Sequence, residues 1–210
     1  VSPRLSVSWD PTGRNRTFVR GGFGVIYDRV TSFIGFQERL SASWRSYTFA
    51  NPGTADPAVL RQRVLAGQGT APLAPILVKD RMNTPRNVQW SAGVGHQFTQ
   101  AFGLNLDWVQ QAMSSLYVRR NPNYFNTTTR ARALVAGYGD VVLWDDFGLA
   151  TFRGLIGQAT YQRAGTRANL AYTLGWYRAD FDGNLAAAFP FTSSYQMQPT
   201  SGDERHRVVL

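Results

Sequence analysis

Two adjacent aspartates and two histidines have the side chains best suited to acid–base chemistry or metal binding. Asp145 and Asp146 could bind calcium on a loop, or could act with His206 in the acid–base steps of a hydrolase. Calcium takes about six to eight oxygen ligands, however, and the flanking Trp144 and Phe147 supply none. A hydrolase also needs a nucleophile or a positioned water, which no pattern in the chain provides. The sequence therefore predicts no catalytic residue, no metal ligand and no cofactor site, and a hydrolase remains only an alternative.

The second histidine and the lack of cysteine narrow the possible chemistry further. His96 lies on the apolar side of an alternating segment and has no neighbours at metal-ligand spacing. The 210 residues include no cysteine, which excludes disulfides, CxxC metal sites and thiol catalysis. The chemistry-bearing residues must therefore be understood from the elements that position them.

Alternation of apolar and polar residues is the dominant pattern of the chain, and it is clearest at 87–99. The apolar positions there include Val88, Trp90, Val94 and Phe98. The positions between them hold mostly glycine, serine and glutamine. Because successive side chains of a strand point to opposite faces, this segment predicts a strand with one apolar and one polar face. A soluble protein buries such an apolar face in a core, whereas an outer-membrane barrel presents it to lipid.

Short turns and long loops alternate between these segments. We predict strands at about 5–9, 17–27, 87–99, 104–117, 149–161 and 167–179, and a seventh that begins near Glu204. Short turns follow at 10–13, 100–103 and 162–166, and long loops at 28–86, 120–147 and 180–203, the first with a helical tendency at 57–66. The longer strands reach the roughly 9–11 residues that a tilted strand needs to cross a bilayer.

This pattern predicts an all-β fold: an antiparallel up-and-down segment of a transmembrane β-barrel. It would supply about six or seven strands of a larger barrel and would be open as an isolated fragment, with short periplasmic turns and long extracellular loops. A soluble β-rich module that binds carbohydrate or a surface is the alternative, and it would bury the apolar face against a second sheet. A barrel hydrolase using the two aspartates and His206 is the second alternative.

The strand phase assigns side chains to the two faces. The polar face gives candidates for lining the barrel lumen: Gln89, Gln97, Asn105, Asp107, Gln158 and Asn169. The apolar face gives the residues expected to contact lipid: Val88, Trp90, Val94, Phe98, Leu104, Leu106, Trp108, Leu170, Tyr172, Leu174 and Trp176. The phase of the strand at 149–161 is ambiguous, because apolar residues occur on both of its faces.

The basic composition bears on the partners. The net charge is +9 at pH 7, and nearly all of the cations are arginines, which suit phosphate groups. They are spread over the chain, with only short pairs such as Arg119-Arg120. This spread favours barrel lining and contact with lipopolysaccharide phosphates over a nucleic-acid surface, so we predict no nucleic-acid partner.

Several segments resemble a known family. Residues 2–13 (SPRLSVSWDPTG) and 19–29 (VRGGFGVIYDR) are similar to the first hairpin of the Oar-like TonB-dependent receptors of the Gram-negative outer membrane. Residues 85–95, 171–173 and 203–207 resemble later parts of the same family, in the same order. One departure is the sequence Trp-Val-Gln at 108–110, where the family tends to have Tyr-Val-Gly.

The resemblance implies a barrel of about 22 strands. Family members transport substrates across the outer membrane with energy from the TonB–ExbB–ExbD system, which contacts a plug domain. The resemblance thus implies that 1–210 is part of one barrel domain, and that the plug, the TonB box and any N-terminal domain are absent from this chain. The expected partners are outer-membrane lipid and lipopolysaccharide, the rest of the barrel and its plug, and the TonB system through that plug. Because no export signal precedes Val1, we expect a longer parent protein.

Overall fold

The computed structural model describes residues 2–29, 31–43, 45, 47–70, 72–180 and 197–210. In chain order its elements are β1 (Arg4–Trp9), β2 (Thr17–Tyr27), α1 (Ser32–Ser43), α2 (Pro57–Leu65), β3 (Ile76–Val78), β4 (Arg86–Gln97), β5 (Phe102–Arg120), β6 (Phe125–Asn126), β7 (Ala131–Arg132), β8 (Val142–Arg163), β9 (Thr166–Ala179), β10 (Gln198–Pro199) and β11 (His206–Val209). No helix in these ranges combines the length and the apolar character needed to span a membrane.

The long strands form one open antiparallel sheet in the order β1-β2-β4-β5-β8-β9. Both β10 and β11 pair with β9, also antiparallel. Each long strand therefore lies beside the next long strand along the chain. This up-and-down arrangement confirms the fold class predicted from the alternation.

The antiparallel order places all short turns at one rim and all long connections at the other. The turns at 10–16, 98–101 and 164–165 follow the strands that run towards the first rim. The last of these has positive φ at both Ala164 and Gly165, as a two-residue hairpin turn requires. In the first turn, Asp10 accepts backbone hydrogen bonds from Thr12, Gly13 and Asn15.

Two strands are longer than the alternation predicted. β5 has 19 residues and β8 has 22, and their pairing continues past register shifts between Met113 and Val118. β8 begins at Val142, although we predicted that this strand begins near 149. The sequence reads as a loop there because Asp145 and Asp146 interrupt the apolar pattern. At 108–110, where the sequence departs from the family that it resembles, β5 stays in register with both β4 and β8.

The first long connection is more ordered than predicted. The helical tendency at 57–66 is confirmed by α2, which has Pro57 in its first turn and Asp56 as its N-cap. The helix α1 and the short strand β3 were missed. β3 pairs in parallel with residues 142–144, along the part of β8 that extends beyond β9. The connection therefore folds back onto the sheet at the long-connection rim.

α1 is fixed to this rim by side-chain hydrogen bonds. Glu38 Oε1 accepts from the backbone N–H of Val78 at 3.0 Å, and Ser41 Oγ accepts from that of Ile76 at 2.9 Å. Gln37 Oε1 accepts from Trp144 Nε1 at 3.1 Å. The helix thus covers β3 and reaches β8.

Candidate functional site

Backbone register decides which side chains share a face, because residues directly opposite one another in a sheet point the same way. Asn105 lies opposite Gln158, and Asn169 lies opposite Thr160, two residues further along the same strand as Gln158. The register thereby places every predicted lumen candidate on one face: Gln89, Gln97, Asn105, Asp107, Gln158 and Asn169. It also fixes the phase of β8, which the sequence left ambiguous. That this face lines a lumen stays a prediction.

The predicted lipid-contact residues share the opposite face. Leu106 lies opposite Val94 and Gly157, and the same row continues to Tyr172. The remaining members of this face are Val88, Trp90, Leu104, Trp108, Leu170, Leu174 and Trp176. Phe98 lies just beyond β4, where its ring contacts the rings of His96 and Phe102.

No second sheet covers this apolar face within the described part of the chain. Leu106 is 43% exposed and Leu170 is 44% exposed, although both lie on central strands. A soluble module would bury these side chains in a core. The structure therefore contradicts the soluble alternative as we stated it.

On the polar face, an ion pair crosses three strands. Arg20 on β2 donates two hydrogen bonds to the carboxylate of Asp107 on β5, from Nε at 2.7 Å and from Nη2 at 2.5 Å. The side chains pass over Gly93 on β4, where a Cβ would lie only 2.0 Å from Asp107 Oδ1. Sequence reasoning missed Arg20 because the phase of a single strand does not reveal its partner two strands away.

Other glycines of the polar face accommodate amide side chains in the same way. A Cβ at Gly95 would lie 2.4 Å from Asn105 Oδ1, and a Cβ at Gly103 would lie 2.7 Å from Gln97 Oε1. Long polar side chains therefore lie flat against the backbone of the next strand. The result is a smooth polar surface that offers hydrogen bonds and charge.

A shallow groove of about 450 Å³ crosses this surface near β1. Its polar lining comes from the face described above: Arg4, Ser6, Gln89, Ser91 and Gln111. The floor is backbone, because Gly22 and Gly24 have no side chain to fill it. Such a groove can bind polar groups of a solute or of a packed protein segment.

At the long-connection rim, the two aspartates of the sequence analysis belong to a charged cluster. Lys79 Nζ lies 3.1 Å from Asp145 Oδ1 and also contacts Asp146, while Arg120 Nη2 lies 3.0 Å from Asp145 Oδ2. Asn83 donates to Asp146 from its backbone and from its amide, both at 2.6 Å. The hydrogen bonds from Lys79 to Asp146 and then to Asp145 raise the pKa of this lysine.

The cluster joins the first long connection to β5 and β8. Both carboxylates are buried and are satisfied by cations and amides, so their geometry is that of a structural anchor. No grouping of His, Asp and Glu side chains suited to a metal ion occurs among the described residues. Asp180, another acidic residue near this rim, accepts a hydrogen bond from Leu149 N–H, and burial raises its pKa.

The hydrolase alternative is wrong, because the structure separates its residues. His206 lies opposite Leu174, which lies opposite Leu155 on β8. From Asp145 to Leu155 is ten residues, or roughly 33 Å of strand. His206 instead contacts the hydroxyl of Tyr172 at 2.7 Å. His96 contacts Thr17 Oγ1 at 2.8 Å across a strand pair.

Two buried asparagines organise the second long connection, and the sequence analysis missed both. Asn123 Oδ1 accepts from the backbone N–H groups of Leu134 and Val135, and its amide donates to Gly139 O at 3.0 Å. Asn121 Oδ1 accepts from the N–H of Asn123 at 3.0 Å. Asparagine and proline at 121–123 favour a turn locally, but the role of these residues as the centre of the connection depends on residues a dozen positions away.

The arrangement defines a class of protein. A continuous antiparallel meander, with an uncovered apolar face and all long connections at one rim, is the wall of a membrane β-barrel. The comparison with protein families agrees: the chain matches the family described as "Outer membrane beta barrel domain" over residues 1–210. The chain belongs to this family, and its location is the outer membrane.

Solved structures of outer-membrane transporters are similar in fold. The outer membrane transporter YddB from Escherichia coli matches with a TM-score of 0.59 and 9% identity, over 94% of this chain and 22% of its own. The FrpB iron transporter from Neisseria meningitidis (F3-3 variant) matches with a TM-score of 0.47 and 13% identity, over 85% of this chain and 19% of its own. Only the similarity to the first of these proteins supports the fold, and the chain spans about a fifth of either protein. No curated protein sequence matches the chain.

Proposed function

We propose that this chain is part of the wall of a TonB-dependent transporter of the Oar-like type, which moves a solute across the outer membrane. The polar face lines the lumen, and the apolar face contacts lipid. Residues 1–210 belong to one barrel domain, and a plug elsewhere in the protein carries the contact with TonB–ExbB–ExbD. The function requires no catalysis by this chain.

One observation carries the proposal: across the strands from β2 to β5, the sheet has one mainly polar face and one mainly apolar face. From β2 to β5, the row that contains Arg20, Gly93 and Asp107 is polar or bare, whereas the next row, with Val94 and Leu106, is apolar. A lumen that is filled with water or with a packed plug requires the first kind of row, and lipid requires the second. The glycine-floored surface also allows a plug backbone to approach closely.

The open edges of the sheet support the view that the wall belongs to a larger barrel. Among the described residues, β1 pairs only with β2. An unpaired strand edge in hydrocarbon leaves backbone groups unsatisfied, at a cost of several kcal/mol each. Further strands of the same barrel would satisfy them.

Cysteine accessibility tests the assignment of the two faces. The chain has no cysteine, so each single-cysteine variant of the full-length protein carries one defined label site within it. We expect Asn105→Cys and Asn169→Cys to react with a membrane-impermeant maleimide in outer-membrane vesicles. We expect Leu106→Cys and Leu170→Cys, each one residue away, to react only with a lipid-soluble reagent. Equal reaction of both sets with the impermeant reagent contradicts the assignment.

Dependence on TonB requires a separate test in cells. A strain that lacks the full-length protein is grown on a panel of defined carbon, nitrogen and metal sources beside a strain that lacks TonB. We expect each growth defect of the first strain to recur in the second, because both block the same energised step. A defect that persists only without the protein, and not without TonB, indicates a passive channel and refutes the energised mechanism.

A further inference from the structure

Near the long-connection rim, arginine side chains replace apolar side chains on the apolar face. On β8 the apolar side chain of Leu155 is followed on the same face by Arg153, and on β9 Trp176 is followed by Arg178. The register confirms the face, since Arg153 lies opposite Trp176 and Arg178 lies opposite Thr151. Both arginines are exposed. Two guanidinium groups therefore lie on the face that we assign to lipid, not on the polar face.

Counting along the strands gives the height of these arginines. Arg153 lies ten residues from Arg163 at the short-turn end of β8, and Arg178 lies twelve residues from Thr166 at that end of β9. A tilted strand crosses the hydrocarbon in about 9–11 residues. Both arginines thus fall where the strands leave the hydrocarbon on the side of the long connections, which is the external leaflet in this class of barrel.

Arg153 and Arg178 line a common groove. Its volume is about 520 Å³, and it is lined by Trp108, Thr151, Arg153, Trp176, Arg178 and Met197. The rings of Trp108 and Trp176 lie 6.3 Å apart on its membrane side, as aromatic side chains do at the boundary of a bilayer. Met197, which directly precedes β10, also lines the groove.

The charge around the groove is unbalanced. Within the described residues, no ion pair or side-chain hydrogen bond involves Arg153 or Arg178, although Arg178 lies close enough to Asp203 for an electrostatic attraction. Arg205 adds a third cation, 5.5 Å from the ring centroid of Trp176, and pairs with Asp203. The groove therefore presents two guanidinium groups that have no hydrogen-bonded acid, directly above an apolar, aromatic surface.

We propose that Arg153 and Arg178 bind a phosphate group on the headgroup of a lipid of the external leaflet, whose acyl chains lie against Trp108 and Trp176. The planar guanidinium group forms paired hydrogen bonds with phosphate oxygens, and it does so best at the edge of a low-dielectric region. A lipid is the source of the phosphate because the groove is continuous with the apolar stripe below it. The inference rests on the proposed lipid contact of this face.

The test measures binding of a phosphorylated glycolipid by the full-length protein. The purified protein is reconstituted in phosphatidylcholine nanodiscs that contain a minor fraction of diphosphorylated lipid A, or of the same lipid after removal of both phosphates. We expect lipid A to bind, and its dephosphorylated form to bind at least about tenfold more weakly. The double substitution Arg153→Gln and Arg178→Gln is expected to cause a similar loss.

The matched control is the double substitution Arg163→Gln and Arg167→Gln. It removes the same charge from the same two strands but at the short-turn rim, so it should leave binding unchanged. Because heat-modifiable gel mobility reports barrel assembly, it shows whether both variants fold. An additional variant, Arg153→Lys with Arg178→Lys, keeps the charge and should retain part of the affinity.

Three results overturn the site: equal binding of the two lipids, no loss in the first double variant, or an equal loss in the control. Competition by inorganic phosphate alone, at the concentration of the lipid, identifies a soluble ligand and overturns the lipid assignment. Failure here is distinguishable from failure of the proposed function. The cysteine experiment reports which face meets lipid, and the growth experiment reports transport, and neither depends on these arginines.

Discussion

The regular wall and the long-connection rim of this protein are stabilised by different interactions. In the wall, β4 pairs with β2 and β5 along nearly its whole length, and its apolar side chains remain uncovered. At the rim, buried carboxylates and amides, such as Asp146 and Asn123, make the decisive contacts. The difference follows from the solvent. In hydrocarbon the backbone must be satisfied by neighbouring strands, whereas in water a connection needs internal polar anchors to stay folded.

The largest expected effect is a break in the wall. Leu106→Pro removes an N–H from within β5, whose register is continuous with β4 and β8 at this point. A proline in a central strand removes a ladder hydrogen bond, and each backbone group left unpaired in lipid costs several kcal/mol. We expect folded protein to disappear from the outer membrane, as measured by heat-modifiable gel mobility. Leu106→Val is the control and should assemble normally; normal assembly of the proline variant contradicts a spanning strand here.

The next effect concerns the rim alone. Asn123→Ala leaves the N–H groups of Leu134 and Val135 without their acceptor in a buried site, which costs about 1–3 kcal/mol. We expect amide hydrogen exchange in residues 121–141 to accelerate at least about tenfold, while exchange in β5 stays unchanged. The half-buried Asn126, which accepts from two exposed turn N–H groups, provides the control substitution Asn126→Ala, which should have a smaller effect. Equal acceleration in β5 would show that wall and rim unfold together.

A third, smaller effect compares the two faces of the wall. In Gly93→Ala the new Cβ would meet the carboxylate of Asp107 on the polar face, so the side chain must move and its ion pair with Arg20 is disturbed. We expect a loss of about 1–3 kcal/mol in unfolding free energy, measured by urea titration in lipid vesicles.

Gly157→Ala is the matched control on the apolar face. The nearest atom to its new Cβ is Leu106 Cδ1 at 4.0 Å, which is ordinary contact. We expect this variant to be neutral or slightly stabilising, because alanine loses less conformational entropy on folding than glycine. Equal losses at both positions would mean that the polar face is not the more closely packed one.

The same contrast explains what the sequence could predict. Alternation and turn residues are local, so β2 and the hairpin turn at Gly165 followed from the sequence with correct bounds or nearly so. The parallel pairing of β3 with β8 joins residues more than sixty positions apart and leaves no local pattern. The N-terminal extension of β8 could not be predicted for a related reason. Its acidic residues are typical of a loop, and they fit a strand only because the distant Lys79 pairs with them.

The candidate site divides in the same way. The shared face of Asn105 and Gln158 follows from strand phase, because phase alternates strictly along each strand. The ion pair between Arg20 and Asp107 depends on which strands are neighbours and on the stagger between them. The one sequence feature that indicates this ion pair is a glycine opposite a long polar side chain, and it can be recognised only after the strands have been aligned.

The smallest effect is a titration at the rim. Lys79 is the only lysine of the chain, and its hydrogen bonds with Asp146 and then Asp145 raise its pKa above the ordinary value near 10.5. Because the folded pKa lies above the unfolded one, this ion pair contributes fully below the ordinary pKa. The contribution is lost as the pH rises through the folded pKa. We therefore expect the first long connection to loosen only in strongly alkaline solution, while the wall stays intact.

The acylation rate of Lys79 at each pH measures this titration directly, because peptide mass spectrometry isolates a single lysine from this chain. The midpoint in the folded protein should lie above that of the same protein unfolded in denaturant. Asp146→Asn is the informative variant, since it removes the negative charge of the principal partner and should bring the midpoint down towards the unfolded value. A variant of the wall, Asp107→Asn, breaks an ion pair of the polar face and should leave the midpoint unchanged. If both variants lower it equally, the rim is not an independent unit, and the contrast between polar anchors above the membrane and backbone pairing within it does not hold.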